Sequence, residues 1–121
     1  VQTQINHEIK IAHGKPYAFV TLTGYLDEHS LANFSEIIEP LLESHHAYLV
    51  LDLGELDLVS SHAVSYFENL HRKLAATEKR MAFVNANAEI RETLEFMGLS
   101  KLVVIFDRED KFVEAIRSGE I

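Results

Sequence analysis

Between Leu49 and Leu74 the spacing of apolar positions changes once, from about two to about 3.6, which marks a strand followed by a helix. Leu49, Val50, Leu51 and Leu53 form a nearly unbroken apolar run, the pattern of a strand covered on both faces, with Asp52 as the exception. Gly54, Glu55 and Asp57 interrupt the run, and Leu58 and Val59 make a short second apolar step. Ala63, Val64, Phe67, Leu70 and Leu74 then recur at helical spacing, while Ser65, Glu68, Asn69, Arg72 and Lys73 fall mostly on the other side. Ser60 and Ser61 stand at the joint, where the first N–H groups of a helix lack partners within it, so one or the other is expected as N-cap.

The flanking segments read in the same way. His7 to Ala12 alternates through Ile9 and Ile11 and predicts a half-buried edge strand; His13-Gly14-Lys15-Pro16 is a turn. Tyr17 to Thr23 alternates again, which predicts a strand antiparallel to the first, ended by Gly24. Ser30 is the expected N-cap of a helix whose stripe is Leu31, Phe34, Ile37, Ile38, Leu41 and Leu42. Pro40 lies inside that stripe; it has no N–H to donate and its ring meets the preceding turn, so a kink or a stop and restart is expected. Met81 to Val84 reads as a short buried strand. Asn85-Ala86-Asn87 opens a third helix carrying Ile90, Leu94 and Met97, and Gly98 is its C-cap. Leu102 to Phe106 is the last strand, and Asp107 is the expected N-cap of a helix through Phe112, Ala115 and Ile116.

Two strands followed by alternating helices and strands argue for an α/β sheet with crossover helices, mixed because of the opening hairpin. A chain of 121 residues, 47% of them apolar, forms one domain, 1–121, with a core of its own. There is no cysteine, which removes disulfides, thiolate metal sites and cysteine nucleophiles together. Eleven Lys and Arg against 19 Asp and Glu give a net charge of 11 − 19 = −8, which repels a phosphate backbone and disfavours nucleic acid as a partner. Val1 to Asn6 is polar and has no signal-peptide character, and the chain has no apolar run of about twenty residues, so no membrane span and a cytoplasmic location are expected.

The polar residues do not assemble into a recognisable catalytic set. The seven histidines lack ligand spacing: His45 and His46 are adjacent in a loop, and no His-Glu-x-x-His pattern occurs, so no metal is expected. His71 borders an apolar stripe and reads as a packed or surface residue. A nucleophile elbow needs glycines around its serine, and Ala63 is no substitute; the five glycines are isolated and form no phosphate loop. Asp52 invites comparison with the phosphoacceptor of a receiver domain, but Ala12-His13-Gly14 supplies no acidic pair after the first strand. No enzymatic activity and no cofactor are assigned.

Ser60-Ser61-His62-Ala63, following the central strand and opening a helix, resembles the signature of STAS domains, and within them the bacterial anti-sigma-factor antagonists. The family pattern there is Asp-Ser-Ser/Ala-Gly, with the first Ser phosphorylated by a partner kinase; Ser61 occupies the acceptor position, while Ser60 and Ala63 replace the acidic residue and the glycine. Gly24-Tyr25-Leu26-Asp27 is similar to the family's Gly-x-Leu-Asp, and Val84-Asn85 with Met97-Gly98-Leu99 to its later strand, helix and turn. The similarity spans about Tyr17 to Ile116.

The resemblance implies a single α/β, STAS-like domain: a mixed, mainly parallel sheet of about five strands with four helices. It implies an interaction module that binds an anti-sigma factor or serine kinase through Asp27, Ser60, Ser61 and His62, with Ser61 as phosphorylation site and Asp27 and Asp52 brought towards one face of the sheet. His62 would sit beside the acceptor, either obstructing a kinase or responding to pH. A phosphate at Ser61 would meet free N–H groups and the positive end of the helix dipole. The alternative is a STAS scaffold that is never phosphorylated, or a sensor binding a nucleotide weakly. The expected state is a monomer or weak dimer.

Overall fold

The computed structural model describes residues 3–121, so Val1 and Gln2, the start of the polar N-terminal stretch, lie outside the described residues. The elements run β1 (Gln4–Ala12), β2 (Lys15–Leu26), α1 (Leu31–Leu42), β3 (Tyr48–Val59), α2 (Ser61–Ala76), β4 (Arg80–Val84), α3 (Ala88–Phe96), a 3₁₀ turn (Leu99–Lys101), β5 (Val104–Phe106) and α4 (Glu109–Ser118). The strands stand in one sheet in chain order, β1 antiparallel to β2 and β2 to β5 parallel. This is the mixed, mainly parallel five-stranded sheet with four helices that the resemblance implies; the patterning predicts the mixed α/β alternation and leaves the strand order open.

Each parallel strand is laid down beside its predecessor in the same direction, and right-handed crossovers then bring α1, α2 and α3 onto one face. That face buries Ala18, Val20, Leu49, Leu51, Leu53 and Phe83 against Phe34 and Ile38 of α1, Phe67 and Leu70 of α2, and Ile90 and Leu94 of α3. The other face packs Tyr17, Tyr48, Val50, Ala82 and Val84 under Phe112 and Ile116 of α4. Alternation along β3 thus sends Leu49, Leu51 and Leu53 one way and Tyr48 and Val50 the other, which explains its continuous apolar run. Glu109, in the first turn of α4, accepts hydrogen bonds from Tyr17 Oη (2.7 Å) and Lys10 Nζ (3.0 Å) and ties that helix to the opening hairpin.

The outcome differs from the sequence patterning at several elements. Neither Gly24 nor Gly54 ends its strand. Between Thr21↔Asp52 and Thr23↔Glu55 β3 advances three residues to two in β2, and between Gly24↔Leu56 and Tyr25↔Leu58 two to one, so β3 continues through two bulges to Val59. Gly24 takes φ +92° at the second irregularity, and Gly54 is needed for closeness: a Cβ there would lie 3.2 Å from Asn85 Cβ. Pro40 does not break α1, which runs unbroken to Leu42. Ser30 is in cap position without a side-chain cap bond, and Arg108 rather than Asp107 precedes α4, because Asp107 is held by Arg91 Nη2 at 3.0 Å. Met97 is exposed beyond the end of α3, and β5 is shortened to Val104–Phe106. Ile9 and Ile11 lie on the helix side of the sheet, yet no crossover helix reaches past β2, so they are 54% and 74% exposed instead of half-buried.

Candidate functional site

The end of the sheet where β2 and β3 finish gathers most of the residues singled out in the sequence. Ser60 is the N-cap of α2: its backbone is extended (φ −86°, ψ 166°), and its Oγ accepts the N–H of Ala63 at 3.1 Å. Its own N–H donates to Leu26 O at 2.9 Å, which clamps the start of α2 to the end of β2. Ser61 is the first residue of the helix and is exposed, and its hydroxyl makes no hydrogen bond among the described residues. Of two adjacent serines, one therefore completes the fold and the other faces outward. His62 is exposed beside it, whereas Ala63 and Val64 turn into the core.

Asp27 follows Leu26, so the Leu26–Ser60 bond sets it beside the cap. Its Oδ1 accepts the N–H groups of His29 (3.0 Å) and Ser30 (3.2 Å). Ser30 Oγ in turn accepts the Asp27 N–H at 3.0 Å and donates to Tyr25 O at 2.9 Å. Ser30 therefore locks the turn that presents Asp27 and is not free to cap α1. Partial loss of water pushes the Asp27 carboxyl up, but the donors from Ser30 and His29 outweigh this and leave it below the ordinary carboxylate value.

Tyr25 and Leu58 stand opposite each other in the register at this end of the sheet and are 39% and 43% exposed. Leu58 reads in the sequence as one more apolar step towards the core; only the bulge after Leu56 turns it outward. The rim thus combines an apolar pair, an oriented carboxylate and a free hydroxyl at a helix N-terminus.

Asp52 does not join this group. It follows Tyr48 and Val50 on the α4 side, and its Oδ1 accepts Gly54 N–H and Asn85 Nδ2, each at 3.0 Å. Asn85, in a left-handed conformation (φ 64°), serves the bulge of β3. Asp27 and Asp52 are engaged in separate hydrogen-bond networks. A cavity of about 520 Å³ lies at the opposite end of the parallel strands, lined by His71, Arg80, Met81 and Val104. Among the described residues no three His, Asp or Glu side chains are grouped as a metal site, and no helix is long and apolar enough to cross a membrane.

The family model of the STAS domain matches residues 3–112. The chain belongs to the STAS family. Solved structures share its fold at low identity. An anti-sigma factor antagonist from Mycobacterium paratuberculosis superimposes with a TM-score of 0.78 at 19% identity, covering 94% of this chain and 95% of its own. The anti-sigma factor antagonist SpoIIAA in its unphosphorylated form gives 0.74 at 18%, covering 93% and 97%. The STAS domain of a SulP transporter from Vibrio cholerae gives 0.65 at 15%, covering 85% and 80%. No curated protein matches the chain by sequence.

Proposed function

We propose that this STAS protein is an anti-sigma-factor antagonist that acts in the cytoplasm by competitive binding: docked on an anti-sigma factor, it releases the sigma factor, and phosphorylation of Ser61 by a serine kinase ends the docking. The observation that carries this reading is the division of labour between the two serines. Ser60 Oγ is engaged by Ala63 N–H, so Ser61 can gain a phosphate without loss of the cap. The added charge, about two negative units, is tolerated by the fold at the positive end of α2. It falls, however, into a surface formed by Tyr25, Asp27, Leu58, Ser60, Ser61 and His62, where a partner fitted to a neutral hydroxyl beside Asp27 meets like charge. SpoIIAA, which shares the fold, is known in both an unphosphorylated and a phosphorylated form. No catalytic group and no cofactor enter this reading.

The test is binding to the cognate anti-sigma factor. Ser61→Asp is expected to fold as wild type and to bind on the order of tenfold more weakly or worse, while Ser61→Ala binds normally. Equal affinity of both variants would remove the switch.

A second reading keeps the fold without the kinase: a STAS scaffold or weak nucleotide sensor. It is favoured by Ser60, His62 and Ala63 around the acceptor and by the occurrence of the same fold in a SulP transporter. Unaltered Ser61 in cells, together with measurable binding of a nucleoside triphosphate, would select it.

A further inference from the structure

Among the described residues β1 pairs with β2 on one side only, which leaves its other edge open. Such an edge invites a further strand unless charge, bulges or a covering element blunt it. Here Ile9 and Ile11 stand at it 54% and 74% exposed, on the same side of the sheet as Ile5, and no helix among the described residues covers them. We propose that β1 is a self-association strand: two copies of this chain pair edge to edge and antiparallel, Ile9 opposite Ile9 of the second copy, and join their sheets into one.

The backbone supplies the first argument. Ala12 and Lys15 are joined by His13 and Gly14, both at positive φ (51° and 77°), which is a type I′ hairpin turn. The pair that closes such a turn exchanges hydrogen bonds, and the pairs alternate from there. Ala12, Lys10 and Glu8 therefore direct their N–H and C=O groups to β2, while Ile11, Ile9 and His7 direct theirs outward. Pro16, opposite Ile11, accords with this alternation, since it has no N–H to offer across that pair.

The register follows from charge. Outward residues must face outward residues, which leaves pairings centred on His7, Glu8 or Ile9 as those that use the strand most fully. Centring on Glu8 sets Glu8 against Glu8, and like charges directly opposite are unfavourable; centring on His7 sets Glu8 against Asn6 and Lys10 against Gln4, so that neither charge meets its opposite. Centring on Ile9 sets Glu8 against Lys10 of the second copy, twice by symmetry, and His7 against Ile11, with about six backbone hydrogen bonds. Lys10 is already held in place by Glu109 at 3.0 Å and over the Phe19 ring at 4.1 Å, so it meets the incoming Glu8 pre-oriented. The same two charges that deter arbitrary strands thus select one partner, a copy of this chain in one register. This edge is distinct from the Ser61 rim, and the proposal stands apart from the function assigned to that rim.

Sedimentation velocity over a concentration series tests it. The wild type is expected to pass from monomer to dimer as concentration rises. Ile9→Pro removes an N–H that points away from β2 and blocks the edge, and should stay monomeric at every concentration while melting as a folded protein. Glu8→Lys, an exposed substitution that sets Lys against Lys, should also stay monomeric and serves if the proline variant does not fold. Because the chain has no cysteine, Ile9→Cys reports the register: it should oxidise to a covalent dimer faster than Ile11→Cys. A wild type that remains monomeric up to about millimolar concentration, a dimer that survives Glu8→Lys, or equal oxidation of the two cysteine variants would overturn the proposal.

Discussion

Ser60 Oγ accepts the backbone N–H of Ala63 across 3.1 Å, and the neighbouring Ser61 hydroxyl is left facing solvent. Removal of a capping oxygen strands an N–H at a helix start, whereas removal of a free hydroxyl strands nothing. Ser60→Ala should therefore lower stability by about 1 kcal/mol, and Ser61→Ala should leave it within about 0.5 kcal/mol of wild type. Urea denaturation of the two variants separates the roles; equal losses would mean that both hydroxyls serve the fold.

Phe67 is fully buried, 6.1 Å from the Phe34 ring and 5.2 Å from the Phe83 ring, and it locks α2 between α1 and β4. Phe67→Ala should cost about 3 to 5 kcal/mol. Glu68, one residue on, reaches only Arg72 at 3.5 Å across an exposed helix turn, so Glu68→Ala should cost a few tenths at most, about 0.5 kcal/mol. Thermal melts of the pair report the buried face of α2 directly.

Asp27 both shapes its turn and presents a charge, and Asp27→Asn separates the two because it keeps an acceptor for the His29 and Ser30 N–H groups. With its folded pKa below the unfolded value, Asp27 adds stability that is full above about pH 4 and is lost as pH falls through the folded value. The asparagine variant should lack that part of the acid limb, fall slightly below wild type in stability near neutrality, converge with it at low pH, and bind the proposed anti-sigma-factor partner more weakly. Unchanged affinity would make Asp27 a turn residue alone.

His46 is 5% exposed, with Nε2 lacking a hydrogen-bond partner; burial, then Lys79 and His45, hold its pKa below the usual histidine value. The unfolded chain then takes up a proton that the folded one resists. Stability contributed by His46 is present above about pH 6.5 and declines as pH falls towards the folded value. His46→Asn should flatten the fall in melting temperature between about pH 6.5 and 5. An unchanged slope would place the pH dependence elsewhere.

Periodicity alone makes α2 legible, since each of Ala63, Val64, Phe67, Leu70 and Leu74 is buried as its spacing requires. The same holds for Leu49 to Leu53, whose apolar run reflects cover on both faces. Gly24 and Gly54 mislead because a glycine marks a turn and a bulge alike, and only the partner strand decides between them. The exposure of Ile9, Ile11 and Leu58 is illegible for a related reason: alternation tells which side of a sheet a residue faces, not whether a helix lies over it. The position of Ser61 was readable only as far as a pair of serines before a helix. Which hydroxyl caps depends on backbone angles at Ser60 and on the tie from its N–H to Leu26, thirty-four residues earlier (60 − 26 = 34), and neither is written in the local sequence.

The measurement that tests the proposed switch most directly is phosphosite mapping by mass spectrometry, after incubation with ATP and a candidate partner serine kinase, on wild type, Ser60→Ala and Ser61→Ala. Phosphate is expected on Ser61 in the wild type and in Ser60→Ala, and on neither serine in Ser61→Ala. Phosphate on Ser60 in the wild type, or an unmodified protein beside a kinase shown to be active on another substrate, would contradict the assignment of Ser61 as the acceptor.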